Sequence, residues 1–330
     1  MTTLYTGAYI GHYVVEQTLG SGSSSVVYLA RPIEGHNSAP VALKVRARGR
    51  GKHEARLAGR FVESARLHKM FCHPNIAWFH ELIENERHQI AVLEFLAGGT
   101  LTDLLKRRGG MLSYYEVCLL GAHIADGLDH MHDISVIHRD IKPDNILFAS
   151  PDDITSVRIA DFDVSKNPYT SPHYTEKGAH VGTLCYVSPE QFNQEKPRPA
   201  SDVYSLGMLL YEAISGRLPF EPVSAAAVFS RFLDHKPLPA LTQIAPEAEA
   251  GLEWVLTRAL EVERAERVPS AATFATLLLA LSPEARAQFS RLSNMTRKTH
   301  VEWIVNQLRA APYRVQTALI TPLREMGLGV

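Results

Sequence analysis

Between His138 and Asn145 the chain reads His-Arg-Asp-Ile-Lys-Pro-Asp-Asn, which sets a carboxylate, an ammonium and a carboxamide within six positions and stiffens their turn with Pro143. Together these groups suit phosphoryl transfer. Asp140 can accept or orient the proton of an attacking hydroxyl, Lys142 can neutralise charge on the group in flight, and Asn145 can offer its amide oxygen to a divalent cation. Two further stretches bear on the same chemistry. The tip Gly20-Ser21-Gly22, followed by three serines, lets backbone N–H groups approach phosphate oxygens without a Cβ in the way, although taken alone it reads first as an ordinary glycine-serine turn. Lys44 interrupts the apolar run Val41-Ala42-Leu43-Lys44-Val45, where a lysine is costly unless it is paired or faces solvent.

The elements that must position these residues can be placed by periodicity. Residues 12–30 alternate around the glycine-rich tip as a β-hairpin, and 41–45 form a short strand. Residues 53–72 have helical spacing, with Leu57, Phe61, Leu67 and Met70 on the apolar side, and His73-Pro74 ends the helix. Strands over 76–84 and 89–95 flank a turn at 85–87, and the glycines at 98–99 mark a hinge between a small β-rich lobe and a larger helical one. Helices are expected over 100–107 and 114–132, with Leu119, Ala122 and Ile124 in the core. A hairpin over 145–148 and 157–160 then delivers Asp161. The stretch 165–181 has no apolar period and is long enough to need a functional reason. Beyond 283, Val301, Ile304, Val305 and Leu308 make one apolar helical face, either docked on the large lobe or open to a partner, and Pro312 and Pro322 are expected to break up the segment after it.

The run His138–Asn145 resembles the catalytic loop of the protein kinase family, H-R-D-x-x-x-x-N. Val41–Lys44 is similar to that family's V-A-I-K strand, Asp161-Phe162-Asp163 to its DFG, Gly182 to Glu190 to its GT...APE ending, and Asp202-Val203-Tyr204-Ser205-Leu206-Gly207 to its D-x-W/Y-S-x-G helix start. Lys142 and Thr183 match the serine/threonine branch, and the whole resembles the soluble bacterial members of the Hanks-type family. The resemblance implies an α+β, bilobal protein-kinase-like fold over 12–282, with a β-rich N-lobe containing one helix to about 94, a hinge over 95–99, a mainly helical C-lobe over 100–282, and a helical extension over 283–330. It implies ATP and Mg2+, with Mn2+ as an alternative, and protein serine or threonine hydroxyls as acceptors. Leu19, Gly20, Ser21, Gly22, Val27 and Ala42 would then enclose the nucleotide. Leu93 would guard the back of the adenine pocket, and the backbone of Glu94 and Leu96 would bond the base. Lys44 would hold the α- and β-phosphates and take a glutamate from the following helix: Glu63, with Glu54 as the fallback because Glu63 lies one residue too far from His73-Pro74. Asp140 would be the catalytic aspartate, Lys142 would stabilise the transferring group, and Asn145 with Asp161 would bind metal. Arg139 would pair with a phosphate on the activation segment at Thr170, Ser171 or Thr175. Asp202 would cap the catalytic-loop backbone, and Arg267 would pair with Glu190.

Two positions depart from the pattern: Ser25 replaces the third glycine of the glycine-rich loop, and Asp163 replaces the DFG glycine. They motivate the rival expectation, a pseudokinase acting as a nucleotide-gated scaffold. The bulk figures limit the remaining classes. At 330 residues, 45% hydrophobic and 21% charged, the chain is ordinary for a globular protein of about two domains. A net charge of −1 offers no general attraction to nucleic acid or to anionic membrane. Three cysteines without CxxC spacing argue against a disulfide framework or zinc site and fit a reducing, cytoplasmic compartment. No apolar run reaches membrane-spanning length, and the first residues show no signal-peptide pattern. The extension over 283–330 remains a candidate for self-association or partner docking.

Overall fold

Alternation along Tyr13–Ser21, Val26–Pro32 and Val41–Ala47 turns successive side chains to opposite faces of a sheet, and burial of one face fixes the register. The computed structural model describes residues 4–22, 25–33, 39–161, 184–220, 228, 230, 238–245 and 249–330. In it those three segments are β2, β3 and β4 of a six-stranded antiparallel sheet. With β1 (Tyr9–Ile10), β5 (Phe79–Glu84) and β6 (His88–Glu94), the order is β1-β2-β3-β4-β6-β5. One face buries Tyr28, Leu43, Val45, Ile90 and Val92 in a single cluster. The other carries Val27 opposite Lys44 and Ala42 opposite Leu93. A slip of one residue would drive Lys44 into the apolar cluster, so the core of the sheet also aims the lysine.

Helix α1 (Lys52–His68) covers that second face, packing Phe61 and Ala65 against Phe79, Ala91 and Leu93. It stops four residues before Cys72, the end that the sequence pattern predicts. Met70, expected in the core, lies in the following turn and is 60% exposed, while Phe71 takes the buried place. Once the chain leaves the helix at Lys69, helical spacing no longer decides which side chain points inward.

The larger lobe opens with β7 (Gly99–Thr100), which pairs with β8 (Ile146–Phe148), itself paired with β9 (Val157–Ile159). Helices α2 (Leu101–Arg107) and α3 (Tyr114–Asp133) start at capping boxes, Thr100 with Asp103 and Ser113 with Glu116. Each such cap satisfies two end donors and is worth about 1 kcal/mol. After α4 (Pro189–Phe192) comes α5 (Pro199–Ser215), buried on nearly every side and ended by Gly216 at φ 70°, a left-handed position that favours glycine. Next come α6 (Leu241–Ile244), α7 (Ala250–Ala259) and α8 (Ala271–Leu281), the last lying against α3.

Residues 283–330 form α9 (Pro283–Gln288), α10 (Leu292–Arg297), α11 (Val301–Arg309) and α12 (Tyr313–Glu325). Their inner residues Met295, Ile304, Leu308, Leu319 and Leu323 join the core that holds α3, α5 and α8. The apolar face of α11 is therefore turned inward and docked rather than left open. Pro312 caps α12 as expected of a breaker, but Pro322 sits inside that helix. Burial of Leu319 and Leu323 on either side holds the helical path despite the amide donor lost at Pro322.

Candidate active site

The catalytic loop is built on one buried carboxylate. Asp202, in the first turn of α5, is fully buried and accepts from the backbone N–H of His138 at 2.9 Å and of Arg139 at 2.9 Å, with the His132 ring Nε2 at 2.8 Å. Burial alone would raise its pKa, but the hydrogen bond and charge of His132, with the backbone donors, hold it below the usual carboxylate value. Those two backbone bonds fix Arg139 at φ 70°, a conformation that costs a non-glycine residue about 1 kcal/mol or more. The same turn aims Asp140. The buried His138 ring accepts the Asp140 N–H at Nδ1 (3.3 Å), which leaves Nε2 to donate to the Ala160 carbonyl (3.2 Å). Burial lowers the pKa of His138, consistent with this neutral ring.

Asp140 is then locked from its far side. The Asn145 amide nitrogen donates to its backbone carbonyl at 2.7 Å and to its Oδ2 at 2.9 Å, and Lys142 Nζ lies 3.4 Å from the same Oδ2. With its nitrogen used in these two bonds, the Asn145 amide has its oxygen as the atom that could serve a cation. The β8–β9 hairpin, through Ile146 opposite Ile159 and Ala160 N–H donating to the Asn145 carbonyl (2.9 Å), brings Asp161 back beside this loop. Asp161 has φ 61°, and its Oδ1 accepts from Lys44 Nζ in an ion pair across the two lobes.

Of the expected nucleotide residues, Val27, Ala42, Lys44 and Leu93 share the sheet face described above. Gly20, Ser21 and Gly22 close the β2–β3 turn through pairs Gly20–Val27 and Ser21–Val26 and a Gly22 N–H bond to the Ser25 carbonyl at 2.8 Å. Leu19 stands at the open edge, 42% exposed. At the hinge, Glu94 N–H donates to the Trp78 carbonyl (2.8 Å), and the Glu94 carboxylate receives Trp78 N–H (3.0 Å). This reciprocal lock with Trp78 carried no signal in the sequence. It commits the Glu94 N–H, whereas the N–H groups of Phe95, Leu96 and Ala97 make no backbone bond among the described residues. The donor set fits a magnesium nucleotide: an apolar sheet face, an ammonium, an aspartate carboxylate and an amide oxygen meet at one edge.

Glu63 does not join this set. It is exposed on the outer side of α1, beside a cavity of about 610 Å3 shared with Val62, Arg66, Glu84 and Gln89. Glu54, the fallback, is taken by Arg46 Nη2 at 2.6 Å. The helix turns a different face to the lysine, because Phe61 and Ala65 are the residues that pack on the sheet. The pair between Glu190 and Arg267 forms as anticipated, bidentate at 2.8 and 3.0 Å and buried. Phe162, Asp163, Thr170, Ser171, Thr175 and Thr183 lie outside the described residues.

Comparison with known proteins agrees with this geometry. The family described as protein kinase domain matches residues 13–296. Among curated relatives, the serine/threonine-protein kinase PknL of Mycobacterium bovis is 35% identical over 228 residues, covering 67% of this chain and 54% of the relative. The serine/threonine-protein kinase pkn2 of Myxococcus xanthus is 32% identical over 274 residues, covering 82% of this chain and 32% of the relative. This chain thus spans about half the length of PknL and a third of pkn2. Among solved structures, the PknI kinase domain of Mycobacterium tuberculosis superposes with TM-score 0.64 at 23% identity, covering 84% of this chain and 98% of that one. Rad53 in complex with AMP-PNP gives 0.66 at 21% identity, covering 80% and 64%. These two likenesses speak to the fold. With the family match spanning most of its length and the motif residues gathered at one site, the chain belongs to the protein kinase family.

Proposed function

We propose that the chain transfers the γ-phosphoryl group of Mg-ATP to serine or threonine hydroxyls of proteins, including its own activation segment over 165–181. The observation that carries this reading is the locked triad of Asp140, Asn145 and Lys142, set beside Asp161 and Lys44. Magnesium, when bound with the nucleotide, supplies charge neutralisation and fixes the phosphates in line. Asn145 and Asp161 are the residues that would hold it. Asp140 takes the proton as the acceptor oxygen bonds to the γ-phosphorus and ADP departs. Lys142, next to Asp140, stabilises the charge that builds on the transferring oxygens. Relatives named serine/threonine-protein kinase support hydroxyl rather than phenol acceptors. No helix among the described residues is long and apolar enough to cross a membrane. We place the reaction in the cytoplasm on the cysteine pattern.

The test is to incubate the chain with Mg-ATP and a basic protein substrate and to map the phosphorylated residues by mass spectrometry. Phosphate on serine and threonine, including positions within 165–181, supports the reading. Nucleotide binding with no phosphorylated residue would instead favour the nucleotide-gated scaffold suggested by Ser25 and Asp163.

A further inference from the structure

The segment between α1 and β5 bonds the small lobe to β9, the strand that leads to Asp161. Asn75, buried in that segment, accepts the Ile159 N–H at 2.8 Å and donates through Nδ2 to the Val157 carbonyl at 3.1 Å, while the Ala77 N–H bonds the Ile159 carbonyl at 2.9 Å. Ile159 stands two residues before Asp161. The turn itself is set by His73, whose Nδ1 accepts the Asn75 N–H at 3.1 Å and whose Nε2 lies 3.3 Å from Oδ2 of Asp126 on α3. Next to Asp126, a Cβ on Gly127 would lie 2.9 Å from Ile159 Cδ1 and 3.1 Å from the Asn75 carbonyl oxygen, so α3 seats the turn and β9 without slack. The side chains of His73 and Asp126 are each 1% exposed, and neither carboxylate oxygen completes a hydrogen bond among the described residues. A carboxylate so placed needs a cation. Arg291, from the stretch joining α9 to α10, supplies it, with Nε 2.7 Å from the same Oδ2.

We propose that Arg291 and Asp126 are positioning residues for Asp161: the extension, through one ion pair, sets the turn that holds β9 in place. This rests on the reading that Asp161 holds the metal. Arg291 fixes where the Asp126 charge sits, Asp126 holds the Nε2 side of the His73 ring, and Nδ1 then stays turned to the Asn75 N–H. Without the guanidinium the buried carboxylate must draw His73 closer or admit water, and the ring that orients Asn75 moves with it. Lys298 provides the contrast. It pairs with Asp129 and Asp133 further along α3, and among the described residues no hydrogen bond or ion pair leads from those two to the His73 turn. The same extension therefore clamps α3 twice, at Lys298 for stability and at Arg291 for the site.

The test titrates Mg2+ into the full chain with a fluorescent ATP analogue, takes the analogue's Kd again in EDTA, and follows thermal denaturation. The variants are Arg291→Met, Arg291→Lys, Asp126→Asn, the double Arg291→Met with Asp126→Asn, and Lys298→Met. Arg291→Met is expected to raise the Mg2+ concentration at half-saturation by roughly threefold or more and to leave the Kd in EDTA within about twofold. Arg291→Lys restores most of the difference. Because both residues act through one contact, the double variant is expected to shift no further than the more affected single one. Lys298→Met is expected to lower Tm and leave the Mg2+ midpoint where it is. Were Arg291→Met to lower Tm as Lys298→Met does while its Mg2+ midpoint stayed within about twofold of wild type, the ion pair would be packing alone and the proposal overturned. Additive shifts in the double variant would overturn it equally. The comparison of the two cation variants decides the matter even where Asp126→Asn fails to fold. A wild type whose analogue binding ignores Mg2+ would instead overturn the reading of Asp161 as a metal ligand, and this inference with it.

Discussion

Asp202 shows how much of the site rests on single residues outside it. Its two oxygens hold the backbone of His138 and Arg139, and through them the turn that presents Asp140. Replacing it with asparagine exchanges one acceptor for a donor facing two N–H groups. Asp202→Asn is expected to lower kcat by roughly ten- to a hundredfold, since small misplacement of a reacting group has that effect, while nucleotide Kd moves less than about twofold. Steady-state kinetics alongside nucleotide titration separates the two. Arg267 acts on stability instead. Fully buried, it binds both oxygens of Glu190 and the carbonyls of Ala200, Glu261 and Val262. Arg267→Ala strands a buried carboxylate and is expected to cost about 3–5 kcal/mol in urea unfolding. A loss below about 1 kcal/mol would show that the pair is not closed in solution.

At the scale of elements, the extension is clamped to the catalytic lobe through α3. Lys298, just past α10, reaches Asp129 at 2.7 Å and Asp133 at 2.5 Å. Burial would lower its pKa, but the two carboxylates outweigh burial and raise it, so the clamp is intact throughout the neutral range. Lys298→Met is expected to destabilise the chain by about 1 kcal/mol, discounted for partial exposure, and the loss shrinks in high salt. Salt-independent loss would point to packing rather than charge. The elements also show what sequence could tell. Lys44, Asp140, Asn145 and Asp161 were legible because each is a charged or polar residue set in a distinctive pattern, and the strand period places Lys44 on a face. The partner of Lys44 was not legible. Helix α1 has an apolar spacing that suits several rotations, and its inward face carries serine and histidine, which read as surface. The docking of Phe61 and Ala65 on the sheet decided the rotation, a contact between segments that periodicity within one helix cannot supply. Pro322 failed as a breaker for a related reason, since burial on both sides overrode local preference.

Across the whole molecule, histidines buried without charge set the response to acid. His68 titrates near 4 in the folded chain against an ordinary 6.5, through burial first, and His123 and His138 are lowered for the same leading cause. The unfolded chain binds these protons first. Stability is therefore full above about pH 6.5 and falls as pH drops toward 4. His68 alone accounts for about 3 kcal/mol over that window, taking 1.36 kcal/mol per unit. Urea unfolding between pH 7.5 and 5 is expected to show this decline, and His68→Phe to flatten it even though the bond to Ala77 is lost. An unchanged slope in that variant would mean that His68 is already protonated or exposed. The proposed transfer turns on Asp140 as the group that would receive the acceptor's proton. The direct measurement is transfer of γ-labelled phosphate from Mg-ATP, to the chain itself and to a basic protein, in wild type and Asp140→Asn matched for nucleotide binding. Transfer is expected in wild type, with a fall of roughly a hundredfold or more in the variant and nucleotide Kd preserved. Equal transfer by both proteins, or none by wild type despite bound nucleotide, would contradict this role for Asp140.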